Sequence, residues 1–171
     1  MHRTLILPAL LLASPVQADL SASNDTGFVS DHAVTIAADP SAVWKVLVAP
    51  NLWWSPSHTY SGDAGNLYLD AQATGCFCEK LPKPADAPAD QRMGSVEHMH
   101  VVYADPQRGV LRMTGGLGPL QGEAVHGVLT ITLRKDGEGT QIKWRYAVGG
   151  VWQAKATEMA ILVDKVLAEQ V

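Results

Sequence analysis

Two successive segments near the end of the chain constrain its fold more than anything else in the sequence. Val125, Leu129, Ile131 and Leu133 alternate with Thr130, Thr132 and Arg134; after Asp136-Gly137-Glu138-Gly139, Ile142, Trp144, Tyr146 and Val148 alternate with Gln141, Lys143 and Arg145. A period of two with a glycine-bearing turn between predicts a hairpin in an antiparallel sheet, one face dry and the other wet. The period then changes. Met159, Leu162, Val163, Val166 and Leu167 repeat at helical spacing, so Trp152–Val171 is expected as one helix about 30 Å long at roughly 1.5 Å per residue. The dry face of the sheet is the one surface large enough to cover that stripe, which gives an α+β fold with the terminal helix held by a curved sheet.

The amino terminus carries an address. Met1-His2-Arg3 is positive, Leu5–Leu12 is largely apolar, and Val16-Gln17-Ala18 ends the stretch with small residues. That order predicts a cleavable signal peptide over residues 1–18 and a periplasmic or secreted product, and the apolar run is too short for a permanent membrane anchor. About 150 residues then remain, one domain's worth. Residues 19–27 are small and polar and are expected as a flexible lead-in to a domain over residues 28–171. The formal net charge of −4, with Lys and Arg scattered, excludes a nucleic-acid partner. Oligomeric state is not legible.

Along the domain, the alternation from Phe28 to Ile36 reads as a first strand. Asp39-Pro40 starts a short helix with Val43, Trp44, Leu47 and Val48 on one face up to Pro50; aspartate is expected as its cap and proline as its first residue. A second short helical turn is expected over Asn51–Trp54. Strands are then expected over Asn66–Leu81, Gly94–Ala104, Val110–Leu117, Ala124–Arg134 and Gln141–Val148.

This order resembles the helix-grip fold of the START/Bet v 1-like (SRPBCC) superfamily, polyketide cyclase/Aha1-like branch. The resemblance covers Phe28 to Val171. Its most specific parts are Ala38-Asp39-Pro40-Ser41-Ala42-Val43-Trp44 and Leu52-Trp53-Trp54-Ser55-Pro56-Ser57-His58-Thr59-Tyr60-Ser61-Gly62-Asp63. It implies a deep, mostly apolar cavity between the long helix and the sheet, used by different members to carry lipids, bind small molecules or cyclise polyketides. The chaperone-activating role for which the Aha1 branch is named does not suit an exported chain.

The hairpin joining Cys76-Phe77-Cys78-Glu79 to Glu97-His98-Met99-His100 is the densest in chemistry. A loop centred near residue 88 sets Phe77 opposite Met99, Glu79 opposite Glu97, Cys78 opposite His98 and Cys76 opposite His100. Leu67, Leu69, Ala71 and Ala73 run in phase with Phe77 and Glu79, which aims both glutamates at the cavity unless a bulge at Gly75 flips the phase. Two carboxylates there would divide the roles of acid and base, making Glu79 and Glu97 the candidate catalytic residues; the plainer alternative is that both are solvated at the wet end of the sheet. Cys76, Cys78, His98 and His100 form a soft donor set that zinc or copper accepts, although neighbours about 7 Å apart on a strand converge poorly on one ion. The same spacing argues against a disulfide between the two cysteines.

Candidate ligand contacts are Trp53, Trp54, His58 and Tyr60 on the loop over the cavity mouth, with Phe77, Met99, Met113, Trp144 and Tyr146 on the sheet; packing is the competing role for the aromatic residues. Gly115-Gly116-Leu117-Gly118-Pro119 reads as a pliable connection and a possible gate. The expected function is an exported binding protein for a hydrophobic small molecule or lipid, with no cofactor. The alternatives are a cyclase or dehydratase using the carboxylate pair, and a Cys/His metal-binding protein.

Overall fold

The structure is a computed structural model that describes residues 17–171. The expected signal peptide lies outside the described residues in all but its last two positions. Among the described residues no helix is long and apolar enough to cross a membrane.

Eight strands form one antiparallel sheet: β1 (Gln17–Asn24), β2 (Gly27–Ile36), β3 (Leu67–Leu69), β4 (Cys76–Leu81), β5 (Gly94–Asp105), β6 (Val110–Thr114), β7 (Ala124–Asp136) and β8 (Gly139–Val151), in the spatial order β1-β2-β8-β7-β6-β5-β4-β3. The β7–β8 hairpin pairs continuously from Ala124↔Val151 to Asp136↔Gly139, as the alternation predicts. Its apolar residues Leu129, Ile131, Leu133, Trp144 and Tyr146 are buried on the inner face.

Two expectations change at the edges of this sheet. The segment 19–27 is not a flexible lead-in: β1 pairs with β2 through Asn24↔Gly27, and the Asn24 carboxamide oxygen accepts the Thr26 and Gly27 amides at 2.9 and 3.1 Å, closing a tight turn. The segment reads as polar and small because Leu20 is its one large apolar residue; that side chain packs against the core. The segment 66–81 is two strands rather than one, with Leu67 opposite Glu79 and Leu69 opposite Phe77. The chain reverses through Thr74, at φ 75°, and Gly75, where a Cβ would stand 2.2 Å from the Asp70 carbonyl oxygen.

Helix α1 (Pro40–Leu47) begins at proline as expected and buries Val43 and Leu47. The Asp39 side chain does not cap it; the carboxylate instead binds Lys135 Nζ at 2.9 Å, tying the helix start to β7. The expected second helix is only a 3-10 turn over Pro50–Leu52. The terminal helix α2 (Ala156–Ala168) is shorter than expected, about 20 Å at roughly 1.5 Å per residue, because β8 continues to Val151 and the Glu123 carboxylate then holds the Gln153 amide at 2.6 Å.

Helix α2 lies against β1 and β2 and buries Ala156, Ala160, Val163 and Leu167. A buried polar tie fixes its rotation: Ser30 Oγ donates to Asp164 at 2.6 Å and lies 2.8 Å from His32 Nε2, which is itself 3.1 Å from Asp164. Just beyond its C-terminal end the Gln170 side-chain oxygen accepts the Ser55 amide at 2.8 Å. The helix is thereby pinned over one side of the sheet, and Leu162 remains 58% exposed.

Candidate ligand cleft and its buried dyad

Because α2 covers only one side of the sheet, an open cleft of about 420 Å³ remains beneath it. Leu162, Val163, Val166 and Leu167 of α2 form one wall; Trp54, His58, Thr59 and Tyr60 form a second; Leu117, Gly118, Pro119 and His98 close the third. Of the four loop residues expected as ligand contacts, Trp54, His58 and Tyr60 line this cleft and Trp53 does not. The α2 residues of the first wall carried no expectation beyond packing, and Leu117 belongs to the connection read as a possible gate.

The deep central cavity is filled. Phe77, Met99, Met113, Trp144 and Tyr146 are core residues, between 0% and 4% exposed, and the space left among Trp53, Trp54, Phe77, Met113 and Trp144 is about 20 Å³, too small for an organic ligand. Aromatic rings do the filling: Trp53 meets Trp144 edge-on at 5.7 Å, and Trp54 meets Phe77 at 5.1 Å. Tyr146 is a structural anchor. Its hydroxyl donates to the Gly115 carbonyl at 2.9 Å and accepts the Leu117 amide at 3.1 Å, and burial pushes its pKa up to about 12. The expected Gly115–Pro119 connection is thus tied down at its start, and the Tyr60 hydroxyl donates to the Gly118 carbonyl at 3.1 Å across the cleft mouth.

The β4–β5 register overturns the expected carboxylate pair. Cys76↔His100 and Phe77↔Met99 pair as predicted, but the next pairs are Cys78↔Glu97 and Glu79↔Val96. His98 is the extra residue of a β-bulge. A one-residue slip moves every later side chain to the opposite face, so Glu97 turns outward, its side chain 54% exposed, and binds His100 Nδ1 at 3.1 Å. His98 turns inward in its place. Gly115 leaves room for the bulge: with φ 142° it approaches the His98 carbonyl, and a Cβ there would come within 3.1 Å of that oxygen.

Glu79 is fully buried, and its partner is His98. The carboxylate accepts His98 Nε2–H at 2.9 Å, the Tyr60 amide at 3.0 Å and the Ser61 amide at 2.5 Å. Burial alone would raise its pKa, but hydrogen bonds from Ser61, from the Tyr60 and Ser61 amides and from His98 together outweigh burial and hold it below the ordinary carboxylate value. For His98, burial is the larger effect and lowers the pKa, against the raising pull of Glu79. The pair is therefore carboxylate and neutral imidazole. A carboxylate can only accept, so the imidazole proton lies on Nε2 and Nδ1 carries a free lone pair. The ring stacks 4.9 Å from Phe77 and 5.9 Å from Tyr60.

The metal set does not assemble. Cys76 and Cys78 are joined to each other as a disulfide, His98 is committed to Glu79 and His100 to Glu97; among the described residues no cluster of metal-ligating side chains forms. The spacing argument against the disulfide took the strand as fully extended, whereas the two Cα atoms stand 5.4 Å apart. His58, expected as a ligand contact, lines the cleft but also binds Glu169 Oε2 at 2.6 Å, joining the tryptophan loop to the end of α2.

The dyad makes stability pH-dependent. Both groups have folded pKa values below their unfolded ones, so the unfolded chain binds more protons as pH falls, first below about 6.5 for His98 and then below 4.5 for Glu79. The stabilisation is complete above pH 6.5 and is lost on acidification. The urea midpoint is expected to fall continuously from pH 7 to pH 4, with a shallower slope in a Glu79→Gln/His98→Gln double variant; parallel slopes would mean that these two groups do not carry the pH dependence.

Comparison with known proteins bears on the family and the fold. The family described as polyketide cyclase / dehydrase and lipid transport matches residues 28–171. No curated protein matches by sequence. Among solved structures, a Rhodobacter sphaeroides protein is similar at TM-score 0.53 and 14% identity, covering 91% of this chain and 93% of its own. Major latex-like protein 151 from Panax ginseng is similar at TM-score 0.51 and 13% identity, covering 84% and 93%. CalU16 from Micromonospora echinospora is similar at TM-score 0.50 and 12% identity, covering 91% and 83%. At such identities the likeness is one of fold.

Proposed function

The chain belongs to the polyketide cyclase / dehydrase and lipid transport family, and from that premise we propose that it holds a hydrophobic small molecule or lipid in the cleft beneath α2, outside the cytoplasm. The observation that carries the reading is the make-up of the cleft: Trp54, Leu117, Val163, Val166 and Leu167 supply apolar walls, while His98 presents an oriented imidazole. Apolar area drives entry and the polar group fixes orientation. The Cys76–Cys78 disulfide supports the exported reading, since such bonds persist in oxidising compartments.

The Glu79–His98 dyad favours a second reading, a cyclase or dehydratase. His98 Nδ1 would take a proton from carbon or oxygen beside a substrate carbonyl, while Glu79 holds the tautomer and stabilises the imidazolium that forms. This replaces the expected Glu79–Glu97 mechanism.

Two substitutions separate the readings. Val166→Trp fills the cleft from the α2 wall and is expected to weaken binding of 2-naphthol, an apolar body with one hydroxyl, at least about tenfold, with the urea midpoint little changed. His98→Gln should weaken it only a few-fold. If the protein turns over a substrate, the same variant lowers turnover by roughly 10²–10⁴. Unchanged naphthol affinity in Val166→Trp would remove the cleft as the binding site.

A further inference from the structure

The cysteine pair takes no part in the cleft's binding or acid–base chemistry, yet it is built into the strand that carries both. Cys76 and Cys78 are bonded across a single residue, and that residue is Phe77, whose ring lies 4.9 Å from His98 and 5.1 Å from Trp54. The next residue is Glu79. Two residues of extended strand span about 6.6 Å, whereas Cys76 and Cys78 have Cα atoms 5.4 Å apart. The bond therefore holds β4 shortened at the point where β5 bulges, between Phe77↔Met99 and Cys78↔Glu97.

We propose that Cys76–Cys78 is a thiol–disulfide exchange site for a dithiol, and that its redox state sets the geometry of the Phe77, Glu79 and His98 cluster. The proposal rests on the position of the bond and holds whether the cleft carries a ligand or transforms one. The half-buried Cys76 is the accessible sulfur and Cys78, 6% exposed, is the shielded one. A thiolate of the dithiol attacks Cys76 Sγ, the sulfur–sulfur bond breaks, and its electron pair leaves on Cys78. Lys80, two residues on and thus on the same strand face, favours that thiolate. The second thiol of the reductant then displaces Cys76 from the mixed disulfide. Two electrons and two protons have passed from the dithiol to the cysteines, and the dithiol departs as its own disulfide.

Once reduced, β4 is free to lengthen by about 1 Å toward ordinary strand spacing. Phe77 sits at the centre of that movement and Glu79 just beyond it. The ring that stacks on His98 and the carboxylate that holds its tautomer both shift, so a two-electron event at the sheet surface is read inside the cleft.

The test uses the full folded chain with millimolar dithiothreitol and no denaturant. After the reduced, folded chain is quenched in acid, maleimide labelling in urea should count both thiols, with circular dichroism before the quench unchanged, and oxidised glutathione should restore the disulfide. In parallel, the His98 ring resonances should move and its pH titration shift measurably, while the Trp54 indole resonance changes with them. A Cys76→Ala/Cys78→Ala variant should resemble the reduced protein and ignore the dithiol. A disulfide that dithiothreitol reduces only when urea is present during the reduction would overturn the exchange site. Complete reduction with unmoved His98 and Trp54 resonances would overturn the coupling. Neither result depends on whether the cleft binds 2-naphthol.

Discussion

Replacing Glu79 by leucine is expected to lower the free energy of unfolding by about 3–5 kcal/mol, the range seen when one partner of a buried pair is removed. The carboxylate is the common acceptor for His98 Nε2 and for the Tyr60 and Ser61 amides, which belong to the loop forming a wall of the cleft. Leucine fills similar volume but accepts nothing, so several donors lose their partner at once. A Glu79→Leu/His98→Leu double variant should cost less than the two single changes added together, because the orphaned imidazole disappears. Urea denaturation at pH 7 measures both effects. A loss below about 1 kcal/mol for Glu79→Leu would mean that the carboxylate does not organise this loop.

Trp54→Ala is expected to cost a similar amount, about 3–5 kcal/mol for a buried aromatic side chain. Trp54 is 8% exposed, packs on Phe77 and Trp53, and donates its indole N–H to the His58 carbonyl at 3.0 Å. It also stands between the cleft and the small void beside Trp144, lining both. Its removal should therefore join them and enlarge the accessible cavity while stability falls. Ligands bulkier than 2-naphthol should gain affinity relative to the parent protein. A stability loss without any change in ligand-size preference would place Trp54 in the core alone.

Where the sequence was readable, the reason was periodicity enforced by a buried face. On β7 and β8 one slip would expose Leu129, Ile131, Trp144 and Tyr146 together, so the register is written plainly in the alternation. The same logic carried the β4–β5 pairing as far as Phe77↔Met99. It failed one residue later because the bulge at His98 leaves no mark in composition: Glu97-His98-Met99 reads equally well in either phase, and both phases aim a titratable side chain inward. The inward orientation of Glu79 was reached correctly, though its in-phase neighbours Leu67 and Leu69 belong to a separate strand, β3, that pairs back on it. The apolar stripe of α2 showed that the helix packs, but not that it packs to one side. That placement depends on Asp164 meeting Ser30 and His32, a contact across 134 residues. The cleft is a consequence of it.

An apolar guest is expected in the space between α2 and the Trp54–Tyr60 loop. Side-chain NMR during titration with 2-naphthol, and separately with 1-decanol, tests it most directly. Saturable shifts are expected at the Trp54 indole and the Leu117, Val163 and Val166 methyl groups, with Val34, Val43 and Val46, which line a separate apolar groove beside α1, unmoved. Shifts confined to that second groove, or the absence of saturable shifts with either probe, would contradict it.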